Sequence, residues 1–139
     1  MSSRDTQQLT LLSALAISSN GTSTPITGLT GFVDILAMLN LSAIPTAGTP
    51  TLDVYLQTSA DEGVTFQDIA HTQFTTAILK RFLQIAGDSA GGVAPLVAAD
   101  AALAGETVRQ GPWGDRLRLK WVFAAGGSTG SYTLAATAF

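Results

Sequence analysis

Residues Leu52 to Ala70 constrain the fold more than any other stretch. Leu52, Val54 and Leu56 alternate with Asp53, Tyr55 and Gln57, which is the two-residue period of a strand with one buried face. Asp61-Glu62-Gly63 interrupts the alternation. Gly63 takes a positive φ at little cost, and the Asp61 carboxylate can bond back to the backbone across a turn. Strand-type residues resume from Val64 to Ile69. The stretch predicts a β-hairpin whose turn is held by Asp61 and Gly63.

Other segments carry the same period. Arg116 to Ala125 places Leu117, Leu119, Trp121 and Phe123 on one side, and Arg116, Arg118, Lys120 and Val122 on the other. Ser131 to Phe139 collects Tyr132, Leu134, Ala136 and Ala138 on one side. These last two strands, joined by Gly126-Gly127-Ser128-Thr129-Gly130, are expected to form a central hairpin. Gly31 to Ile44 reads as a core strand with a partly covered outer face, and Val33 to Asn40 fits a helix as well. Leu9 to Ser18 fits a strand or a short helix, and Asn20-Gly21 marks a turn. Thr22 to Thr30 reads as loop or a short strand around Ile26. Ile78 to Ala86 and Thr107 to Gln110 are further strands. Residues 1–8 form an N-terminal arm, and residues 9–139 a single domain. Gly87 to Gly105, rich in Gly and Ala, is expected to be a long loop, with one helical turn from Pro95 as an option. Seven to eight strands separated by turns predict an all-β fold, an antiparallel β-sandwich or jelly roll.

Charged residues make up 12% of the chain and hydrophobic residues 46%, about half the roughly 25% charge of ordinary soluble domains. No apolar run approaches the roughly 18 residues of a spanning helix, so no membrane span is expected. Sparse charge then favours a subunit whose surface is largely covered by neighbours. A net charge of −3 gives no basic field for nucleic acid. There is no cysteine, which removes disulfides and thiolate sites together.

No self-consistent catalytic set emerges, and the chain reads as non-enzymatic. Gly126 to Gly130 matches the G-x-S-x-G pattern, but a strand follows it where a nucleophile elbow needs a helix, and no histidine lies beyond Ser128. His71 is the only histidine, which rules out the usual zinc site. Asp61, Glu62 and Asp68 are the only local carboxylate cluster, and turn chemistry accounts for them better than a metal does. No cofactor or metal is expected. Arg116, Arg118 and Lys120 form a basic stripe, either a solvated face that protects the strand or a docking stripe for a partner's acidic groups. Trp113 is either folded onto the core or an exposed interface anchor.

Two resemblances follow from these residues. Ser59 to Phe66 is similar to an Asp box, S-x-D-x-G-x-T-W, with Phe66 in the tryptophan place. That box is a folding device at hairpin turns, common in sialidases. The single copy and the short chain carry over the turn and not the activity. The hairpin from Val54 to Ala70 and the pair from Leu117 to Phe139 together resemble small structural proteins of tailed bacteriophages, over about a third of the chain. The resemblance implies a capsid decoration (cement) protein on the outer surface of the virion. Such a protein clamps neighbouring subunits of the major capsid protein and is preferably a homotrimer. Candidate contacts are Arg4 in the arm, the 87–105 loop, Trp113, Arg116, Arg118 and Lys120. The alternatives are a phage head–tail connector or tail component, and a carbohydrate-binding module stacking sugars on Trp113, Tyr55 and Tyr132.

Overall fold

The computed structural model describes residues 8–29, 34–77, 79–86, 100–109 and 113–139. Nine strands occur among them: β1 (Leu9–Ile17), β2 (Gly21–Thr22), β3 (Asp34–Ala43), β4 (Thr51–Ser59), β5 (Gln67–Phe74), β6 (Lys80–Ala86), β7 (Thr107–Val108), β8 (Arg116–Ala124) and β9 (Tyr132–Ala138). There is no helix among the described residues. The alternating segments that also fitted helices, at Leu9 and at Val33 to Asn40, are strands where described. The 1–8 arm up to residue 7, residues 87–99 of the expected loop and its Pro95 turn lie outside the described residues.

The strands form two antiparallel sheets in the orders β1-β9-β3-β6 and β2-β8-β4-β5-β7, so the fold is a β-sandwich. Its pairing is nested. β4 pairs with β5, β3 with β6, β2 with β8 and β1 with β9. The chain is one long hairpin doubled back at the turn after Ser59, with successive pairs alternating between the sheets.

The expected terminal hairpin does not form: β8 and β9 belong to different sheets. The linking turn is bonded to a neighbouring loop. Thr49 donates its N–H to the Gly126 carbonyl at 2.9 Å, and Thr46 and Thr129 exchange backbone bonds of 2.8 and 3.0 Å. Gly126 has φ 57°, and a Cβ there would collide with the Thr49 carbonyl. The turn therefore carries the chain across the sandwich. Alternation is the same whichever sheet a strand joins, so it cannot report this. Each of the two strands is nonetheless interior to its own sheet.

The core lies between the sheets. Ile35, Leu39 and Leu134 from one face Leu52, Leu56, Leu117 and Leu119 from the other, all fully buried. Each such side chain contributes about 1.5–3 kcal/mol before conformational entropy is counted. At one side of the sandwich Arg81 on β6 reaches Glu106, beside β7, at 3.3 Å, joining the edges of the two sheets. Leu119→Ala should lower unfolding free energy by about 2–5 kcal/mol in chemical denaturation. Thr137→Ala, on an outer face, should stay within about 0.5 kcal/mol of the parent.

Candidate functional site: the covered face of the five-stranded sheet

Alternation turns Asp53, Tyr55 and Gln57 of β4 away from the core, next to Gln73, His71 and Asp68 of β5 and to Val122, Lys120 and Arg118 of β8. A bulge between Leu56 and Gln57 skips Ile69, so that both Ile69 and Ala70 are buried and Asp68 stands beside Gln57. Bulges re-aim side chains in this way. The face is polar yet buried, because residues 100–106 lie over it.

Asp68 is the anchor of that cover. It is 0% exposed, and its Oδ1 accepts from the Ala101 N–H at 2.8 Å and from Gln57 Nε2 at 2.7 Å. Its Oδ2 accepts from the amides of Ala102 at 2.6 Å and Leu103 at 2.8 Å. A buried carboxylate is tolerable only with such donors. Gln57 extends the network: its Nε2 also donates to Asp100, and its Oε1 accepts from Arg118 Nε at 2.8 Å. Asp100 Oδ2 lies 3.2 Å from Lys120 Nζ and 3.6 Å from Arg118. Burial acts to raise the Asp100 pKa, but the Gln57 and Lys120 hydrogen bonds and the Lys120 and Arg118 charges outweigh it and hold it low. Arg118 also lies over the Phe66 ring, 3.8 Å from its centroid.

His71 closes the other end of the cover. Nε2 meets Asp53 Oδ1 at 2.7 Å and Nδ1 meets the Leu103 carbonyl at 2.8 Å. Tyr55 stacks on the ring with centroids 4.0 Å apart, and burial, then the Asp53 and Asp68 charges, push its pKa up. Glu106 accepts from Thr72 Oγ1 at 3.1 Å and from the Gln73 N–H at 2.7 Å. The Asp53–His71 pair has the spacing of a base and its orienting acid. Its second ring nitrogen faces a carbonyl, however, and not a hydroxyl nucleophile. The pair fastens residue 103 to the sheet.

Asp61 is spent on the turn itself. Asp61 accepts from the Thr65 N–H at 2.9 Å and from the Thr65 hydroxyl at 2.5 Å, and it meets the Ser59 hydroxyl at 2.8 Å. The Gly63 N–H donates to Ser59 Oγ at 2.8 Å with Gly63 at φ 88°. This is the turn that the Asp-box likeness implies. Because Thr65 is captured here, β5 begins at Gln67 and not at Val64. Among the described residues no group of three or more His, Cys, Asp or Glu side chains could hold a metal ion.

The expected contact residues thus separate. Arg118 and Lys120 meet Asp100 of the same chain. Arg116 lies beside Gly63, its Nε buried without a hydrogen-bond partner. Trp113 is half-buried and packs against the core. Arg4 lies outside the described residues. Tyr132 is fully buried and Tyr55 nearly so, so neither offers a face to a sugar. The residues missed by sequence reasoning are Gln57, Asp53, Asp100 and Glu106. Their only signal was a polar residue at alternate strand positions, which is also what a solvated face shows. Searches of protein-family models, curated proteins and solved structures found no match.

The Thr65 hydroxyl, the Thr65 amide and the Ser59 hydroxyl hold the Asp61 pKa at about 2, below the usual 3.8. The folded-state value is the lower one, so this group's contribution is complete above the unfolded value and is lost as pH falls through the folded value. Asp61→Asn should therefore flatten the loss of stability between about pH 4 and pH 2, followed by circular dichroism during acid titration. Asp68→Ala should cost about 3 kcal/mol and speed hydrogen exchange at the amides of Ala101, Ala102 and Leu103.

Proposed function

We propose that this chain is a non-enzymatic structural protein of a tailed-phage virion, a capsid decoration protein that binds across major capsid protein subunits and stabilises the shell. The nested pairing carries the reading. A hairpin doubled once and rolled into two sheets supports a jelly-roll reading of the sandwich, with β7 as an added edge strand. Jelly rolls recur in viral capsid and lectin domains. The phage-like motifs fall on the innermost pair, β4 and β5, and on β8 and β9 in the middles of the sheets.

The chemistry of the covered face supports a structural role. Its carboxylates, histidine and two of its three basic residues are engaged in holding residues 100–106. That favours a rigid scaffold over a reaction centre. A docking role for Arg118 and Lys120 would require Asp100 to give them up, so Arg116 and Trp113 are the better contacts for a capsid subunit among the described residues. A homotrimer on the outer surface of the virion is the state that the resemblance implies. The stacking platform of a carbohydrate-binding module loses support, since only Trp113 of its three aromatics is more than marginally exposed.

Reconstruction of the particle that carries the chain, with its copies counted by quantitative mass spectrometry, tests the reading. Many copies spread over the shell, and heat stability that falls when the protein is absent, are expected. A single ring at the portal would transfer the chain to the connector or tail class. Equal heat stability with and without the protein would remove the clamping role.

A further inference from the structure

His71 lies between two acceptors. Nε2 faces Asp53 Oδ1 at 2.7 Å and Nδ1 faces the Leu103 carbonyl at 2.8 Å. A neutral imidazole carries one N–H, so it donates to one of these oxygens and turns a lone pair toward the other. Only the imidazolium donates to both. The residue is 7% exposed, which leaves little room for water to stand in for the missing donor, and a buried polar contact left unmade is costly. Gln73 Nε2 also donates to Asp53, at 3.2 Å to Oδ1 and 3.4 Å to Oδ2. Both oxygens of Asp53 thus accept, as those of a carboxylate do.

The other groups around the ring leave that demand in place. On β4, Tyr55 stacks on it. Burial, then the Asp53 and Asp68 charges, push the Tyr55 ionisation up, so the phenol stays neutral, and an aromatic face suits a neighbouring cation. On β5, Gln73 is uncharged and Asp68 is taken up by the amides of residues 101–103. On β7, Thr107 stands opposite His71. In the covering segment, a Cβ on Gly105 would lie 3.7 Å from the ring's Cε1, and Glu106 is engaged by Thr72, the Gln73 amide and Arg81 of β6. On β8, Lys120 is level with Tyr55 and is held by Asp100. Among the described residues, the His71 ring is the cation that meets Asp53.

Residues 100–106 depend on their fastenings. Ala101 at φ 61° and Glu106 at φ 58° hold left-handed backbone without being glycine, a conformation that persists only where its surroundings impose it. Asp68 fixes the segment through three amides, and His71 fixes it through the Leu103 carbonyl. The first fastening uses a carboxylate, the second a ring that can lose a proton. Imidazole is the one side chain that ordinarily changes charge between about pH 5 and pH 8, and His71 is the sole histidine.

We propose that His71 is a proton-dependent latch: the imidazolium fastens residues 100–106 over the polar face of the five-stranded sheet, and loss of its proton loosens them and uncovers Tyr55 and Gln57. The donor count sets the sign. The closed segment needs the second ring proton and the released segment does not. Closure is therefore complete while the ring is charged, and it weakens as pH rises and the ring gives up its proton. The latch acts within the chain and needs no particle, so it and the capsid role can each fail alone.

Native-state hydrogen exchange of the full chain between about pH 5 and pH 8, corrected for the intrinsic effect of pH on exchange, is the test, with the ring nitrogens followed by NMR in the same samples. Both ring nitrogens should carry protons while the segment is closed. Protection of the Ala101, Ala102 and Leu103 amides should fall by about tenfold as the ring loses one. Asp53→Asn places an amide donor opposite Nε2, so that a neutral ring accepts there and donates from Nδ1 to Leu103. That variant should show protection that no longer changes with pH. Protection in the parent that stays level through the ring's titration overturns the latch. So does a ring with a single proton beneath a fully protected segment, or an Asp53→Asn chain whose protection follows pH as the parent's does.

Discussion

The Asp61 carboxylate takes up the amide and hydroxyl of Thr65 and the hydroxyl of Ser59, and Ser59 in turn holds the amide of Gly63. Those bonds close the turn between β4 and β5, and the pairs β3–β6, β2–β8 and β1–β9 enclose that turn in the nesting. The register of the innermost pair also decides which side chains face out. A slip of one residue would send Leu52, Val54 and Leu56 to the outer face and Tyr55 and Gln57 inward. The turn and the bulge at Ile69 together set the position of Asp68, and Asp68 sets the position of residues 101–103.

The two outer faces of the sandwich solve different problems. On the five-stranded sheet, Gln57, Asp68 and His71 are buried polar side chains, and each finds a partner within the chain: Asp68 with amides, Gln57 with Arg118 and Asp100, His71 with Asp53 and Leu103. Such a network is stable only when complete, because a half-satisfied member would retain the cost of desolvation. On the four-stranded sheet the large exposed side chains include Leu36 and Phe82, with the charged Lys80 at one end of the face. One face therefore specifies the chain's own conformation, and the other is suited to contact beyond it.

Much of this was legible in the residues, and the part that was not has a physical reason. The alternation around Leu119 and Leu56, and the turn at Asp61 and Gly63, depend on neighbours in sequence, so they could be read directly. The sheet to which β9 belongs depends on how the Gly126 turn is bonded to Thr49, which no local pattern encodes. The basic stripe was ambiguous because Arg118 and Lys120 find Asp100 across a separation that alternation does not reach. Gln57 looked like a solvent-facing residue, and it is fully buried because residues 100–106 cover it.

The nested order of the pairs has a consequence for how the chain can assemble. Closing a loop costs entropy that grows with the logarithm of its length. β4 and β5 flank a short turn, whereas β1 and β9 are separated by most of the chain. Once β4 has joined β5, the ends of β3 and β6 are brought near each other, and their pairing closes a much shorter effective loop. The same holds for each pair outward, so the sandwich is built to zip from the Asp61 turn. A slow step there would delay every later contact, and one at the outermost pair would delay none.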